Sequence, residues 1–250
     1  MEKIFRLNPV LEALHSSAAR INKILIEKGN HSRKVGEIVR LARERNIPCV
    51  FVPQSKLDQQ VPGHQGVLAL LSVKPFVSVE EILVKAKNPF LVLLDEVEDP
   101  QNLGAIIRSA EGAGAHGLII PARRSAGMTE AVLSVSAGAA EYLPVTRVTN
   151  LAQTMDELKK RGLWLVGAEG GGKEYWHQFD YTIPVGIVLG SEGRGLRRLV
   201  REKCDKVLSI PLFGHLRSLN VASAAAIFFF EVVRQRMERE KMNNPGLKIV

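Results

Sequence analysis

The chain has 250 residues, 46% of them hydrophobic, which is enough for a packed core in one or two domains. Its 34 Lys/Arg against 26 Asp/Glu give a net charge of +8 and a pI near 9.6, the profile of a protein with a nucleic-acid or anionic-surface partner. No apolar run reaches the roughly 18 residues of a membrane helix, and Met1–Val10 lacks the basic-then-apolar order of a signal peptide, so the expectation is a cytoplasmic protein with no membrane contact. Cys49 and Cys204 follow no redox or metal-ligand spacing and are expected in the core. The six histidines form no HxH or HxxxH pair, so no metal site is expected.

In chain order, residues 1–73 read as a small alternating α/β domain. Its elements are strand Ile4–Leu7, a helix from Pro9, strand Lys23–Glu27, helix Arg33–Arg45, strand Pro48–Val52 and strand Val67–Val73. This stretch holds 11 Lys/Arg against 6 Asp/Glu, so most of the excess charge sits in under a third of the chain. Two readings stand for Arg33 and Lys34 and their neighbours on the helix: RNA contact, or a solvated basic surface.

Residues 74–89, with Pro75 and Pro89 around an amphipathic stretch Val79–Lys87, read as a linker. From 90 to 250 strand and helix alternate: Phe90–Glu96, Pro100–Gly112, Gly117–Ile120, Thr129–Ala137, Tyr142–Arg147, Leu151–Arg161, Leu163–Ala168, Pro184–Gly190, Leu196–Lys203, Val207–Pro211 and Leu219–Glu240. Strands such as LVLLD and GIVLG are apolar throughout, as in a mostly parallel sheet covered on both faces. The final helix is apolar at its start and charged at its end, so its first half should be buried, with a dimer interface as one use of that half.

Three glycine motifs need separating. Gly112-Ala-Gly-Ala-His-Gly117 has the spacing of a dinucleotide fingerprint, but it follows a helix and precedes a strand, the reverse of what such a site needs, and reads as a helix C-cap. Gly167-Ala-Glu-Gly-Gly-Gly172-Lys173 has the spacing of a phosphate loop but continues with Glu174, where magnesium binding needs Ser or Thr. It still leaves a strand at its C-terminal end, where ligands bind in such sheets. Gly190-Ser-Glu-Gly-Arg-Gly195 follows an apolar strand directly and is read either as a ligand loop or as a tight turn.

Three segments together, LDEVEDPQNLGAIIRSAEGAG (94–114), GIVLGSEGRGL (186–196) and IPLFGHLRSLNVASAAAIFFFEVVRQR (210–236), resemble the three motifs of the SpoU (TrmH-type) branch of the SPOUT RNA 2′-O-ribose methyltransferases. SVSAGAAEYLPV (134–145) is similar to the family's connecting segment. The first 73 residues, ending in HQGVLALL, resemble the L30e-like substrate-binding domain of the bacterial 23S rRNA guanosine 2′-O-methyltransferase (RlmB-like) subgroup.

The resemblance implies an α/β fold with a deep trefoil knot in the C-terminal domain, a topology that general rules of chain connection would not suggest. It also implies a homodimer through the knotted domain, and S-adenosylmethionine held where the loops 167–172, 189–195 and 210–220 converge. Gly190, Ile210 and Leu219 are the implied cofactor contacts, with Leu189, Gly167, Ala168 and Glu169 beside them. Asn102, Arg108, Glu192, Ser218 and Asn220 are the implied catalytic set. The family usually reads SLNVS, whereas this chain has Ser218-Leu-Asn-Val-Ala222, a departure that bears on substrate geometry.

Arg108 is implied as the catalytic arginine, yet a guanidinium with a pKa above about 12 offers no acceptor lone pair for a base. Holding a phosphate and stabilising the developing alkoxide suits it better. Ser218 doubles as a candidate N-cap of the last helix. Arg194, Arg197, Arg198 and Arg201, at i, i+3, i+4 and i+7, are expected to share a helical face that follows an RNA backbone, the alternative being pairing with Glu202 or Glu240. The implied substrate is 23S rRNA. Rival readings are a transfer-RNA or antibiotic-resistance methyltransferase of the same branch, and a non-catalytic RNA-binding or ribosome-assembly factor.

Overall fold

The computed structural model describes residues 3–15, 21–71, 75–84, 86–172 and 174–243. The last two residues of the expected strand Val67–Val73, Lys74 and Lys85 of the expected linker, and Lys173 of the phosphate-loop-like motif lie outside the described residues. The chain forms two compact units, one running to Phe76 and including Gly127–Glu130, the other made of the rest from Val77 onward.

The first unit runs β1 (Lys3–Phe5), α1 (Leu7–His15), β2 (Ile21–Glu27), α2 (Arg33–Glu44), β3 (Cys49–Val52), α3 (Gln54–Asp58) and β4 (Val67–Leu71). Its sheet has the order β1-β4-β2-β3, with β4 antiparallel to both neighbours and β2 parallel to β3. Alternate residues of β2 point to opposite faces. Ile24 and Ile26 accordingly pack with Val10, Val35 and Ile38 of α1 and α2, while Leu25 joins Leu57 and Leu68 on the other side. Ser32 caps α2 by accepting the Val35 N–H. In the HQG turn, His64 Nδ1 accepts the Gly66 N–H at 2.8 Å and Nε2 donates to Asp58 at 3.0 Å, which closes the turn into β4.

The second unit runs α4 (Val79–Leu83), β5 (Phe90–Asp95), α5 (Pro100–Gly112), β6 (Gly117–Pro121), α6 (Glu130–Val135), α7 (Ala139–Tyr142), β7 (Val145–Val148), α8 (Leu151–Lys160), β8 (Trp164–Ala168), a 3-10 turn (Trp176–Gln178), β9 (Val185–Gly190), α9 (Arg198–Lys203), β10 (Lys206–Leu208) and α10 (Val221–Asn243). Its six strands pair in the order β10-β8-β9-β5-β6-β7, all parallel. Every residue of β5 and β9 is buried, which explains why both are apolar apart from Asp95 at the end of β5. Among the described residues no helix is long and apolar enough to cross a membrane, and no three potential metal ligands cluster.

Several expectations change in detail. Part of the expected linker belongs to the second unit: α4 starts with a Ser78–Glu81 capping box, and Ile82 packs in the same core as Leu91, Leu93 and Leu165. The expected helix Thr129–Ala137 is α6 alone, followed by α7, because Ala137 and Gly138 adopt positive φ between them. The Gly112–Gly117 motif is the C-terminal turn of α5, with Gly114 at φ 71° before β6. Cys49 and Cys204 form no disulfide and are only partly buried. Burial pushes the Cys204 thiol up to about 12, so it stays protonated at neutral pH.

The end of β5 is joined to the segment after β9 by a charge. Asp95 is fully buried, and its carboxylate accepts the Arg197 backbone N–H at 2.8 Å and Nε at 2.7 Å. Arg197 is the N-cap of α9 with extended backbone (φ −61°, ψ 146°), so that helix starts at Arg198, two residues later than expected. Removing one member of such a pair leaves a buried charge uncompensated. Because Arg197 is itself half-exposed, Arg197→Ala is expected to lower the unfolding free energy by about 2–3 kcal/mol in urea denaturation. A loss below about 1 kcal/mol would mean that water replaces the guanidinium.

Candidate functional site

Because β8, β9 and β10 are parallel, the segments that leave them emerge at one end of the sheet. Residues 168–172, 189–195, 209–213 and 216–221 line a single cleft of about 1050 Å³ there, completed by Tyr175, Ala224 and Phe228. Leu189, Ile210, Leu219 and Phe228 supply apolar lining, and Glu169, Glu192, Arg194 and Ser218 supply polar groups. That combination, with a volume at the upper end of small-molecule sites, fits a nucleoside-bearing ligand with room for part of a second one.

The glycine loop after β9 is at once a tight turn and a wall of this cleft. Ser191 and Gly195 form an antiparallel bridge, and the Gly195 N–H donates to the Ser191 carbonyl at 3.0 Å. The turn needs positive φ at Gly193 (79°) and Gly195 (66°). A Cβ on Gly190 would overlap the Gly195 carbonyl and the Leu196 amide, so only glycine fits where strand and returning chain touch. The tight-turn reading of the motif therefore holds, and the same loop lines the cleft.

Asn220 is the hub of the polar groups. Its Nδ2 donates to Asn102 Oδ1 at 2.9 Å and to Glu192 Oε1 at 2.6 Å. Its Oδ1 accepts the backbone N–H groups of Ala222 at 2.9 Å and Ser223 at 3.3 Å, capping α10. Asn220, not Ser218, is thus the residue that caps α10, which begins at Val221. Ser218 lines the cleft two residues before it. Position 222 contributes a main-chain N–H to the cap, so Ala222 serves it as well as serine would.

Of the expected residues, Asn102, Glu192 and Asn220 are joined by hydrogen bonds; Glu192, Asn220, Leu189, Gly190, Ile210, Leu219, Ala168, Glu169, Ser218 and Arg194 line the cleft, and Asn102 is buried and not among its lining residues. Gly167 is one step inside β8 and does not line it; a Cβ there would meet Leu196 at 2.8 Å and Cys204 at 3.0 Å, so this glycine serves packing. Arg108 is exposed on α5 outside the lining of the cleft.

The expected arginine face does not form, because the helix starts too late to carry it and carboxylates take three of its members. Arg197 is bound by Asp95, Arg198 pairs with Glu202 at 2.9 Å, and Arg201 pairs with Glu169 at 2.6 Å. Arg33 and Lys34 are exposed at the start of α2, Lys34 donating to Asn8 at 2.7 Å. Sequence reasoning missed Asp95, whose signal is a single acid closing an apolar strand. It also missed Arg217 and Tyr175, which line the cleft without belonging to a recognisable pattern.

Capping and side-chain positioning by Asn220 can be separated. Asn220→Ser keeps a capping oxygen and should stay within about 0.5 kcal/mol of the parent, whereas Asn220→Ala should cost about 1 kcal/mol. Both release Glu192 and Asn102, and turnover should fall about 100-fold in each. Urea denaturation read beside initial rates checks this; retained turnover in Asn220→Ser would reduce Asn220 to a helix cap.

Comparison with known proteins agrees with this architecture. Residues 89–230 match the model of the SpoU rRNA Methylase family, and residues 4–76 match that of RNA 2′-O ribose methyltransferase substrate binding. The chain is 41% identical over 234 residues, 92% of its length and 94% of the relative's, to YacO of Bacillus subtilis, which is assigned by name to the TrmH family of tRNA/rRNA methyltransferases. Among solved structures, the SpoU methyltransferase AviRb from Streptomyces viridochromogenes in complex with the cofactor AdoMet is 28% identical, with a TM-score of 0.62 over 94% of this chain and 90% of that one. The A. aeolicus TrmH/SpoU tRNA modifying enzyme is 30% identical, with a TM-score of 0.57 over 67% of this chain and 85% of its own. With a family match across most of the sheet and the cleft, and a full-length relative at this identity, the chain belongs to the SpoU rRNA methylase family.

Proposed function

We propose that this RNA methyltransferase uses S-adenosylmethionine to methylate the ribose 2′-hydroxyl of a guanosine in 23S ribosomal RNA. The observation that carries the reading is the Asn102–Asn220–Glu192 network beside the glycine loop, in a cleft large enough for cofactor and nucleoside. A binding factor would have no use for a carboxylate and two amides tied together at the mouth of such a cleft. The separate N-terminal unit, matched to a substrate-binding model and read as an L30e-like module over residues 1–73, favours a ribosomal over a transfer-RNA target. Cytoplasmic location follows from that substrate.

The cofactor fits the residues present. Apolar Leu189, Ile210 and Leu219 suit an adenine, and the close approach of Gly190 to Gly195 leaves the backbone of the loop open to a ligand. Glu192, with no ion pair among the described residues, places negative charge where a cationic ligand is favoured. When bound, S-adenosylmethionine supplies a methyl group on a sulfonium centre. The chain's own residues must align the hydroxyl and manage its proton. Asn220 holds Glu192 through Oε1, which leaves Oε2 without a partner among the described residues, available to orient Arg108 or the ribose. Ser218 is available to hydrogen-bond the substrate. Arg108 grips a phosphate of the target and stabilises the developing alkoxide, the proton leaving through phosphate or water.

Arg108 lies outside the cleft lining of its own chain, which favours the homodimer through the knotted domain as the way it reaches a site. The trefoil knot is part of the same reading, since it would draw the three cleft loops together. Mixing inactive Arg108→Ala with inactive Asn220→Ala, after dissociation and reassociation, should then restore up to about a quarter of parental activity, because one site in each mixed dimer is intact. No recovery would place Arg108 in its own chain's site.

The reaction and substrate are tested by incubating the protein with tritium-labelled S-adenosylmethionine and bulk ribosomal or transfer RNA, then digesting to nucleosides. Label in one 2′-O-methylated ribosomal guanosine is the expected result. Label in transfer RNA would move the substrate to the transfer-RNA reading within the same branch, and cofactor binding without label on any RNA would revive the non-catalytic reading.

A further inference from the structure

Most guanidiniums around the sheet of the second unit are already satisfied. Arg197, Arg198, Arg201 and Arg234 pair with carboxylates, and Arg236 donates to the backbone carbonyls of Asn88, Pro89, Tyr181 and Ile183 and to the Asn88 amide oxygen. Two that line the cleft differ. Arg194, in the glycine loop, and Arg217, in the segment between β10 and α10, are both exposed and make no ion pair or side-chain hydrogen bond among the described residues.

We propose that Arg217 binds a phosphate of the RNA backbone next to the target ribose, acting with Arg194 as a two-point clamp across the mouth of the cleft. The inference rests on the reading of the cleft as an RNA methyltransferase site and adds a substrate-positioning residue to it. Arg217 directly precedes Ser218 and lies three residues before Asn220, so a phosphate held by it is held close to the hydrogen-bonding hub. The cofactor has one carboxylate and would be largely enclosed, as small ligands in clefts are. A ribose within RNA is flanked by a phosphate on each side and arrives from solvent, where both exposed guanidiniums wait. Arginine suits the task because its planar fork grips phosphate through two parallel hydrogen bonds. The other charges on the cleft wall leave this role open: Glu169 is already paired with Arg201, and Glu192, held by Asn220, pairs with neither arginine.

The test measures binding of a labelled oligoribonucleotide of mixed sequence against salt concentration, beside calorimetric titration with S-adenosylmethionine, for the parent, Arg217→Ala, Arg217→Lys and Arg161→Ala. Arg161 pairs with Glu80 and does not line the cleft, so its variant sets the background. Loss of one phosphate contact should flatten the log–log salt dependence by about 0.7 in Arg217→Ala and weaken RNA binding about tenfold, with cofactor affinity unchanged. Arg217→Lys should keep the slope, as it keeps the charge, while losing part of the affinity. An unchanged slope in Arg217→Ala, or a loss of cofactor rather than RNA affinity, would overturn the proposal, the second outcome assigning Arg217 to the cofactor carboxylate. Methyl transfer by the parent protein, scored separately, decides the reading on which the inference rests, so failure of one is not mistaken for failure of the other.

Discussion

One side-chain amide organises the reactive end of this protein. Asn220 uses all of its hydrogen-bonding groups: two donors to Asn102 and Glu192, and an oxygen that accepts the first free N–H groups of α10. Its orientation is therefore determined, because a flipped amide would place N–H against N–H at the helix and oxygen against carboxylate at the loop. Three pieces of chain distant in sequence meet on it: the first turns of α5, the glycine loop after β9 and the start of the last helix. A neutral residue here also serves the chemistry, since it holds a carboxylate in place without cancelling its charge.

A second constraint lies beneath it. Parallel strands send their following segments to one end of the sheet, so the loops of β8, β9 and β10 have no choice but to neighbour one another. What fixes their spacing is the pair Asp95–Arg197, in which a buried carboxylate at the end of β5 takes both the backbone and the side chain of the residue that opens α9. The Arg201–Glu169 pair ties the β8 loop to the same short helix. Charges that look free along the sequence are thus spent on holding loops, and the positive potential left at the cleft is concentrated on few side chains. For a polyanionic substrate that is a sharper recognition device than a continuous basic face, because it offers anchor points where the ribose must sit.

The contrast between the two units follows from the same physics. The first is a four-stranded mixed sheet with separate hydrophobic clusters on its two faces and basic side chains on the outside of α2. The second devotes its fully buried strands to building a single end on which ligands can be held. Membership in the SpoU family agrees with that division, since separate family models match the two parts.

Much of this was legible from residues alone. Apolar strands read as a parallel sheet, helix α5 was delimited by its Pro100 start and Gly112 end, and the reversed strand order around Gly112–Gly117 marked it as a C-cap, because these features depend on local periodicity and on the φ values only glycine adopts freely. The family motifs likewise named Asn102, Glu192 and Asn220 as belonging together. Tertiary structure decided everything that depends on which charge meets which. Spacing along the sequence put four arginines on one helical face, but the backbone at Arg197 is extended, so α9 starts only at Arg198, and Asp95, about a hundred residues earlier in the chain, takes the Arg197 guanidinium. Ser218 read as the candidate cap of the last helix, but α10 begins at Val221 and Asn220 caps it. Side-chain pairing across a fold is a three-dimensional competition for partners, and a one-dimensional pattern records the competitors without recording who wins.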